Sequence, residues 1–317
     1  MNGSLDVNLE TLDAHTHPVF IPGKFELNHL VDACIKNGVS ALGISDFTTP
    51  GKKFDTRFMN FADSPLPEGY KLEAKERQLF VVSRRRYLKS DLVVQFYHGQ
   101  EVATKEGHVL LFDIPEQVLV EEKDHQIVSM GDTIKRARDQ GATVIATHPH
   151  TMIWGGMGYS PLRGFKDEWD GLELNAQCMD LPPGFLKNYF LTGELPYRWE
   201  LFAFIRHLYQ EESNKKTEEF AKGAYRGHKK HRLIATSDMR MSSLLGIGGS
   251  AEQIGLGSIN FKNPRGNGGI FNLREILNSG EYDVRIENVS RIEFLKRAIP
   301  NRLNALLERF GLPSGEQ

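Results

Sequence analysis

Short apolar segments that end in histidines or carboxylates recur along this chain and constrain its fold. Strand-like runs alternate with segments of helical periodicity about seven or eight times, which indicates a series of βαβ units. A series of this length favours a closed β/α barrel over an open sheet. The length of 317 residues is compatible with two average domains, or with one barrel of about 250 residues and its additions. We predict one barrel domain over residues 1–317.

The first unit illustrates the pattern. A strand over residues 9–13 precedes a helix with apolar positions Leu27, Leu30 and Val31, and Gly38 is typical of a left-handed helix end. The segment Leu72–Leu88 is predicted to be a helix. Another helix is predicted over residues 132–140, and further strands at residues 39–46, 92–96, 108–112, 142–146, 171–175, 233–236, 258–261 and 282–286.

Polar residues at the ends of these strands predict a metal site. They are His15, His17, Asp46, Glu101, His148 and Asp238. Barrel enzymes assemble their active sites at the carboxyl ends of the strands. Residues two apart in a strand point to the same side, so His15 and His17 can present both imidazoles to one ion, with Asp13 as the acceptor that orients them.

Five motifs in this order resemble those of the PHP (polymerase and histidinol phosphatase) family. They are Asp13-Ala14-His15-Thr16-His17, Ile44-Ser45-Asp46-Phe47, Gly99-Gln100-Glu101 with Gly107-His108-Val109-Leu110, Ala146-Thr147-His148-Pro149 and Thr236-Ser237-Asp238-Met239-Arg240. The resemblance covers roughly residues 9–290. It implies an α/β fold, a distorted TIM-like (β/α)7 barrel of the PHP type.

The resemblance also implies an activity, the hydrolysis of a small phosphomonoester or phosphodiester by two metals that activate water. Carried over by position, one metal would be held by His15, His17, Glu101 and Asp238, and a second by Glu101, His108 and His148. Glu101 would bridge the two. Imidazole and carboxylate ligands suit zinc, manganese or iron.

Two departures from the family pattern concern a third ion that family members often bind. Phe47 and Arg240 stand where histidine ligands would be, and neither side chain can ligate a metal. We therefore expect two metals, with Arg240 as a clamp on the phosphoryl oxygens and either His150 or a water as the proton donor. Asp46 is compatible with a turn cap or with catalysis, and we expect it to lie at the mouth of the site. The candidate catalytic residues are Glu101, Asp238, Arg240 and His150.

Two other functions remain open at this stage. An amidohydrolase-like barrel that cleaves a C–N or C–O bond also begins with a histidine pair, although its usual bridge is a carboxylated lysine. A catalytically weakened regulatory domain would explain the lost third site, but the complete set of ligands for two metals argues against it.

Additions to the barrel are expected in two places. A helical insertion at about residues 180–231 is rich in aromatic residues and could roof the site. A C-terminal helical extension at about residues 290–317 carries an apolar stripe that includes Leu303 and Phe310. That stripe is equally consistent with packing on the barrel or with a homo-oligomer contact.

Charge and composition bear on partners and location. The net charge of -2 provides no overall positive field for nucleic acid, and the run Arg84–Arg86 is typical of a solvated helix face. The beginning of the chain lacks a secretory signal, and no apolar run approaches the roughly 20 residues that span a bilayer. Only Cys34 and Cys178 are present, so no disulfide framework is expected. We expect a cytoplasmic protein that acts on a small phosphorylated substrate.

Overall fold

The structure is a computed structural model. The residues that it describes are 9–18, 26–48, 57–62, 64, 70–75, 78–83, 92–114, 129–150, 156–176, 212–223, 230–240, 254–263 and 271–286. Their strands are β1 (Leu9–His17), β2 (Ala41–Thr48), β3 (Tyr70–Lys75), β4 (Gln78–Ser83), β5 (Leu92–Thr104), β6 (Gly107–Phe112), β7 (Thr143–Ala146), β8 (Gly171–Asn175), β9 (Leu233–Thr236), β10 (Met239–Arg240), β11 (Gly257–Lys262) and β12 (Tyr282–Ile286). Their helices are α1 (Leu27–Asn37), α2 (Arg57–Ala62), α3 (Met130–Asp139), α4 (Tyr159–Gly164), α5 (residues 212–221) and α6 (Leu273–Ser279).

The strands form one mixed sheet that is nearly closed. Its main order is β12-β11-β1-β2-β5-β6-β7-β8-β9. The last strand, β9, comes back against β1 and β11. A Cβ atom at Gly257 would lie 2.1 Å from the carbonyl oxygen of Thr236, so glycine is what allows β11 to approach β9 this closely. The fold is therefore a mixed α/β architecture built on a barrel-like sheet.

The strand directions differ from the predicted regular (β/α)7 alternation. β1, β2 and β5 are parallel, as are β7, β8 and β9, but β5-β6-β7 and β1-β11-β12 run antiparallel. A tight turn at residues 105–106 joins β5 directly to β6, with no crossover helix. Antiparallel neighbours need only such a turn, whereas parallel strands need a longer connection. The prediction of uniform βαβ units was too regular.

The helix predicted over Leu72–Leu88 was wrong, because Tyr70–Lys75 and Gln78–Ser83 form the antiparallel hairpin strands β3 and β4. Charged residues such as Lys75 and Glu76 favour a helix by intrinsic propensity. The tertiary structure overrides this preference, because β4 pairs with Leu92–Tyr97 of β5. This pairing provides hydrogen-bond partners for backbone groups in the first half of β5, which β6 does not reach. The second half of β5, Gln100–Thr104, pairs with β6 instead.

Helix α1 confirms the prediction made from its periodicity. Leu27, Leu30 and Val31 are buried, and Gly38 ends the helix at a φ of 67°. The predicted helix over residues 132–140 is confirmed as α3, and the side chain of Ser129 caps it by accepting a hydrogen bond from the backbone N–H of Asp132. The strands predicted at 171–175, 233–236 and 282–286 have the predicted bounds.

The interior of the sheet is filled by apolar side chains from distant strands. One cluster joins residues from all round the sheet, among them Leu12, Leu110, Ile145, Ile234 and Ile259. Each fully buried side chain of this kind stabilises the fold by about 1.5 to 3 kcal/mol. This cluster holds the strands in register and so fixes where their carboxyl ends lie.

Several predictions fall outside the described residues. These are the aromatic part of the insertion before α5, the C-terminal extension at 290–317, the run Arg84–Arg86 and Cys178. Cys34 is buried and free of a disulfide, and burial raises the pKa of its thiol. Among the described helices there is none with the length and apolar character needed to cross a membrane.

Candidate metal centre

Two groups of buried side chains meet at the carboxyl ends of the parallel strands. One contains His15, His17 and Asp238, and the other contains Glu101, His108 and His148. Within each group the potential ligand atoms lie within 4.8 Å of one another. Together they are the six residues predicted as metal ligands from the sequence. The folded chain brings all six into one site.

The first group is formed by β1 and the segment after β9. The Nε2 atoms of His15 and His17 lie 2.8 Å apart. Oδ1 of Asp238 lies 3.8 Å from Nε2 of His15 and 3.6 Å from Nε2 of His17. The three donor atoms therefore face a common point.

The second group depends on the β5–β6 hairpin. The strands β5 and β6 are antiparallel. The beginning of β6, where His108 lies, is therefore beside the carboxyl end of β5. Its Nδ1 is 2.7 Å from Oε1 of Glu101, and Nε2 of His148 is 3.2 Å from the same oxygen. The hairpin thus brings His108 to the same end of the sheet as the other five candidates.

Glu101 lies between the two groups and contacts both through different oxygens. Its Oε2 is 2.9 Å from Nε2 of His17 and 3.6 Å from Nε2 of His15, while Oε1 faces His108 and His148. The carboxylate is fully buried. This arrangement has the geometry needed for a carboxylate that bridges two cations.

Two of the candidate ligands have unusual backbone conformations. His148 has a φ of 29° and Asp238 a φ of 44°, in the left-handed region that residues other than glycine seldom adopt. Both residues come just after a strand, β7 and β9 respectively. Such conformations cost on the order of 1 to 3 kcal/mol and are found preferentially at functional sites.

Hydrogen bonds on the far side of the rings fix the orientation of the histidine pair. His17 donates from Nδ1 to the carbonyl oxygen of Ser45 at 3.0 Å, and His15 donates from Nδ1 to Oε1 of Glu173 at 2.7 Å. In both rings Nε2 is left facing the cluster. Burial alone would lower the pKa of His15, but the carboxylates of Glu173, Asp238 and Glu101 raise that pKa well above its usual value.

Glu173 was missed by the sequence analysis. It lies in β8, is fully buried, and also accepts hydrogen bonds from the backbone N–H of His148 at 2.6 Å and from Oγ1 of Thr236 at 2.5 Å. A signal was present, because Glu173 is the charged residue of the short strand Gly171–Asn175. Charged residues are seldom fully buried unless they are paired.

Asn175 is a second residue that sequence reasoning did not identify. Its Nδ2 donates to Oδ2 of Asp238 at 2.9 Å. Asn214 of α5 accepts from the backbone N–H of Asn175 and donates to its carbonyl oxygen, both at 3.0 Å. The described part of the insertion is thereby attached to the strand end beside a candidate ligand.

Asp13 has a role that differs from the predicted one. Asp13 accepts hydrogen bonds from the backbone N–H groups of Ser237 at 3.0 Å and Gly255 at 2.8 Å, and so it holds the chain next to Asp238 rather than orienting the histidine rings. Burial outweighs these bonds and raises the pKa of Asp13 to about 6.

Asp46 is directed away from the candidate ligands. It accepts from Nε2 of His98 at 2.9 Å and from the backbone N–H of Phe58 in α2 at 3.2 Å. The expectation that Asp46 lies at the mouth of the site was therefore wrong. Neighbouring residues of a strand point to opposite faces, and the face toward the metal centre is occupied by Phe47.

The remaining candidates lie around the two groups. The Phe47 ring contacts His17 and His108, with centroid distances of 6.0 and 5.4 Å. The backbone of Arg240 in β10 pairs with that of His17 in parallel register. His150 belongs to neither group and lies 6.4 Å from the Phe220 ring. Burial and the charge of Lys216 lower the pKa of His150 to about 4.

The donor set fits divalent transition metals. A tetrahedral centre with bonds of about 2.1 Å separates its ligands by about 3.4 Å, and the observed distances between facing donor atoms are 2.7 to 3.8 Å. Imidazole nitrogens combined with carboxylate oxygens suit zinc, manganese and iron. Packing this many ionisable groups in a buried cluster is costly unless cations compensate the carboxylates.

Comparisons with known proteins add little beyond this geometry. No known protein family matches the chain, and no curated protein matches it by sequence. A two-domain protein from Bacteroides vulgatus, which contains a predicted PHP-like metal-dependent phosphoesterase, is similar in structure with a TM-score of 0.42 and 14% identity. The similarity covers 93% of this chain and 70% of that chain. Similarity at this level supports no conclusion about function.

Proposed function

We propose that this protein is a metal-dependent phosphoesterase of the PHP type that hydrolyses a small phosphomonoester or phosphodiester. The observation that carries the proposal is the position of Glu101, whose two oxygens face two separate groups of metal ligands. The order of the five motifs along the chain supports the same family. A single barrel domain with a helical insertion and a C-terminal extension completes the proposal.

The residues divide into two ligand sets. His15, His17 and Asp238 would hold one ion, His108 and His148 a second, and Glu101 would bridge them, in agreement with the two groups of donor atoms. Two bound divalent ions would neutralise phosphoryl oxygens and lower the pKa of a coordinated water. The buried surroundings strengthen every charge interaction in the site.

Arg240 is proposed to contact the phosphate of the substrate. Its backbone runs beside that of His17, so β10 continues the sheet at the metal centre instead of turning away from it. A guanidinium offers paired donors to two phosphoryl oxygens.

The leaving alkoxide is proposed to receive its proton from water. His150 was the other candidate, but with a pKa of about 4 only about one molecule in a thousand would be protonated at pH 7.

The amidohydrolase-like alternative is less well supported. Its usual bridge is a carboxylated lysine, whereas the residue between the two groups of this site is Glu101. The regulatory alternative is opposed by the convergence of all six candidate ligands in a buried cluster, which has no evident use without a metal.

An activity panel tests the proposed function. The full-length protein, loaded with manganese, zinc or iron, is assayed with p-nitrophenyl phosphate, bis-p-nitrophenyl phosphate, and an amide or lactone substrate. We expect turnover of a phosphate ester that EDTA abolishes and added metal restores. Turnover of the amide or lactone alone would favour the amidohydrolase-like function, and binding of metal without any turnover would favour the regulatory one.

A further inference from the structure

Glu173 contacts one residue from each ligand group. Oε1 accepts from Nδ1 of His15 at 2.7 Å, and Oε2 accepts from the backbone N–H of His148 at 2.6 Å. The carboxylate is completely buried, so solvent does not screen these contacts. One side chain thus spans the same two groups as Glu101, from the opposite side of the imidazole of His15.

The two contacts act on different parts of the ligands. At His15 the carboxylate holds the proton on Nδ1, which leaves the lone pair of Nε2 facing the cluster. A carboxylate behind an imidazole in this way also makes the ring a stronger metal ligand. At His148 the bond fixes the backbone, whose φ of 29° is unfavourable without such support.

The third contact of Glu173 keeps the carboxylate in place. Oγ1 of Thr236 in β9 donates to Oε1 at 2.5 Å, and β8 and β9 are paired in parallel. The carboxylate is therefore held by the sheet itself rather than by a loop.

We propose that Glu173 is a positioning residue that sets the metal affinity of both sites at once, through the ring of His15 and the backbone of His148. This inference rests on the proposed metal centre but assigns a role to a residue outside the ligand sets. Glutamine is nearly isosteric with glutamate, yet its amide can accept only one of the two bonds. In one orientation of the amide, its NH2 group faces the backbone N–H of His148, and two donors then oppose each other. In the other orientation the NH2 group donates to Nδ1 of His15, so the proton of that ring moves to Nε2.

The test measures zinc binding by competition with a chromophoric chelator in the full-length protein and in Glu173→Gln. We expect the variant to lose roughly 10- to 100-fold in affinity and to lose it for both ions. Glu10→Gln serves as the matched control, because Glu10 is also a buried glutamate but lies near the start of β1, where it accepts from Asn263 at 3.0 Å. Its affinity should stay within about threefold of the parent.

A spectroscopic readout separates positioning from a general loss of structure. In the zinc-loaded parent, proton NMR edited by nitrogen-15 should show the N–H of His15 on Nδ1 as a downfield proton signal, and Glu173→Gln should move or abolish it. A proton found on Nε2 in the parent would overturn the inference even if the variant does not fold. Equal zinc affinity of the parent and Glu173→Gln would also overturn it. If the parent binds no metal at all, the proposed function fails and the inference fails with it.

Discussion

Asn175 donates from its side-chain Nδ2 to Oδ2 of Asp238 at 2.9 Å, which leaves Oδ1 of Asp238 facing His15 and His17. The peptide groups of Asn175 are in turn held by the amide side chain of Asn214 in α5. The orientation of a candidate metal ligand thus depends on a helix from the insertion. The connection between β8 and β9 therefore has a direct part in shaping the site.

We predict that Asn214→Ala destabilises the protein by about 1 to 3 kcal/mol, because it leaves the buried N–H and C=O of Asn175 without these partners. The free energy of unfolding is measured by urea denaturation with and without zinc. Since Asp238 should also be less well oriented, the stabilisation by zinc should decrease. If zinc stabilises the variant as much as the parent, α5 has no influence on the metal ligand Asp238. Lys215→Ala, at the next and exposed residue of the same helix, provides the control.

Glu101→Gln is expected to lose metal from both sites, because a neutral amide cannot compensate two dications. Elemental analysis of the purified variant measures the content. Glu10→Gln is the matched control, since Glu10 is also buried but lies near the start of β1, where it accepts from Asn263 at 3.0 Å. Full metal content in Glu101→Gln would show that Glu101 does not bridge the two ions.

His148→Ala should lose the second metal, because His148 belongs to the second group of ligands. Unchanged metal content in this variant would contradict the assignment of the second site.

The protein should hold at most two transition metals tightly. The ring of Phe47 lies against His17 and His108, in the place that a third-site histidine would need. Anomalous scattering from crystals soaked in manganese or zinc counts the ions and locates them. A third ion beside Phe47, held by residues not named above, would contradict this prediction.

Replacing Arg240 with alanine should reduce kcat/KM for a phosphate ester by roughly 30- to 1000-fold, which corresponds to about 2 to 4 kcal/mol of transition-state stabilisation. Metal content should not change, because a guanidinium is not a ligand. Arg232→Ala removes a comparable cation from an exposed position just before β9 and should have little effect. If Arg240→Ala is as active as the parent, the proposed phosphate contact does not exist.

His150 should remain neutral at physiological pH, because burial and Lys216 lower its pKa to about 4. NMR titration of the ring should give a midpoint near this value. In the unfolded chain a histidine titrates near 6.5, so the unfolded state binds more protons between about pH 4 and 6.5. The contribution of His150 to stability is therefore complete above pH 6.5 and is lost as the pH falls toward 4.

His150→Gln should accordingly flatten the dependence of unfolding free energy on pH in this window. The same variant should keep most of its activity at pH 7, because a neutral imidazole cannot supply the proton. A loss of activity comparable to that of Arg240→Ala would return His150 to the role of proton donor.

The six candidate ligands could be predicted from the sequence because five ordered motifs resemble those of the PHP family, and five of the six residues fall at the ends of predicted strands. His15 and His17 are two apart on one strand, and period-two geometry alone places both rings on one side. Helix α1 could be predicted for a similar reason, since its apolar stripe and Gly38 are local signals. Local signals of this kind are complete within a few residues and do not depend on the rest of the chain.

Only the tertiary structure decided which residues form hydrogen bonds with the candidate ligands and with the chain next to them. Glu173 and His15 are 158 residues apart, and Asp13 and Ser237 are 224 apart, so no local pattern relates them. The hairpin β3–β4 likewise replaced a predicted helix because the first half of β5 needed a partner. Buried hydrogen-bonding groups need partners. Which partners are within reach depends on how the sheet closes, and this cannot be read from neighbouring residues in the sequence.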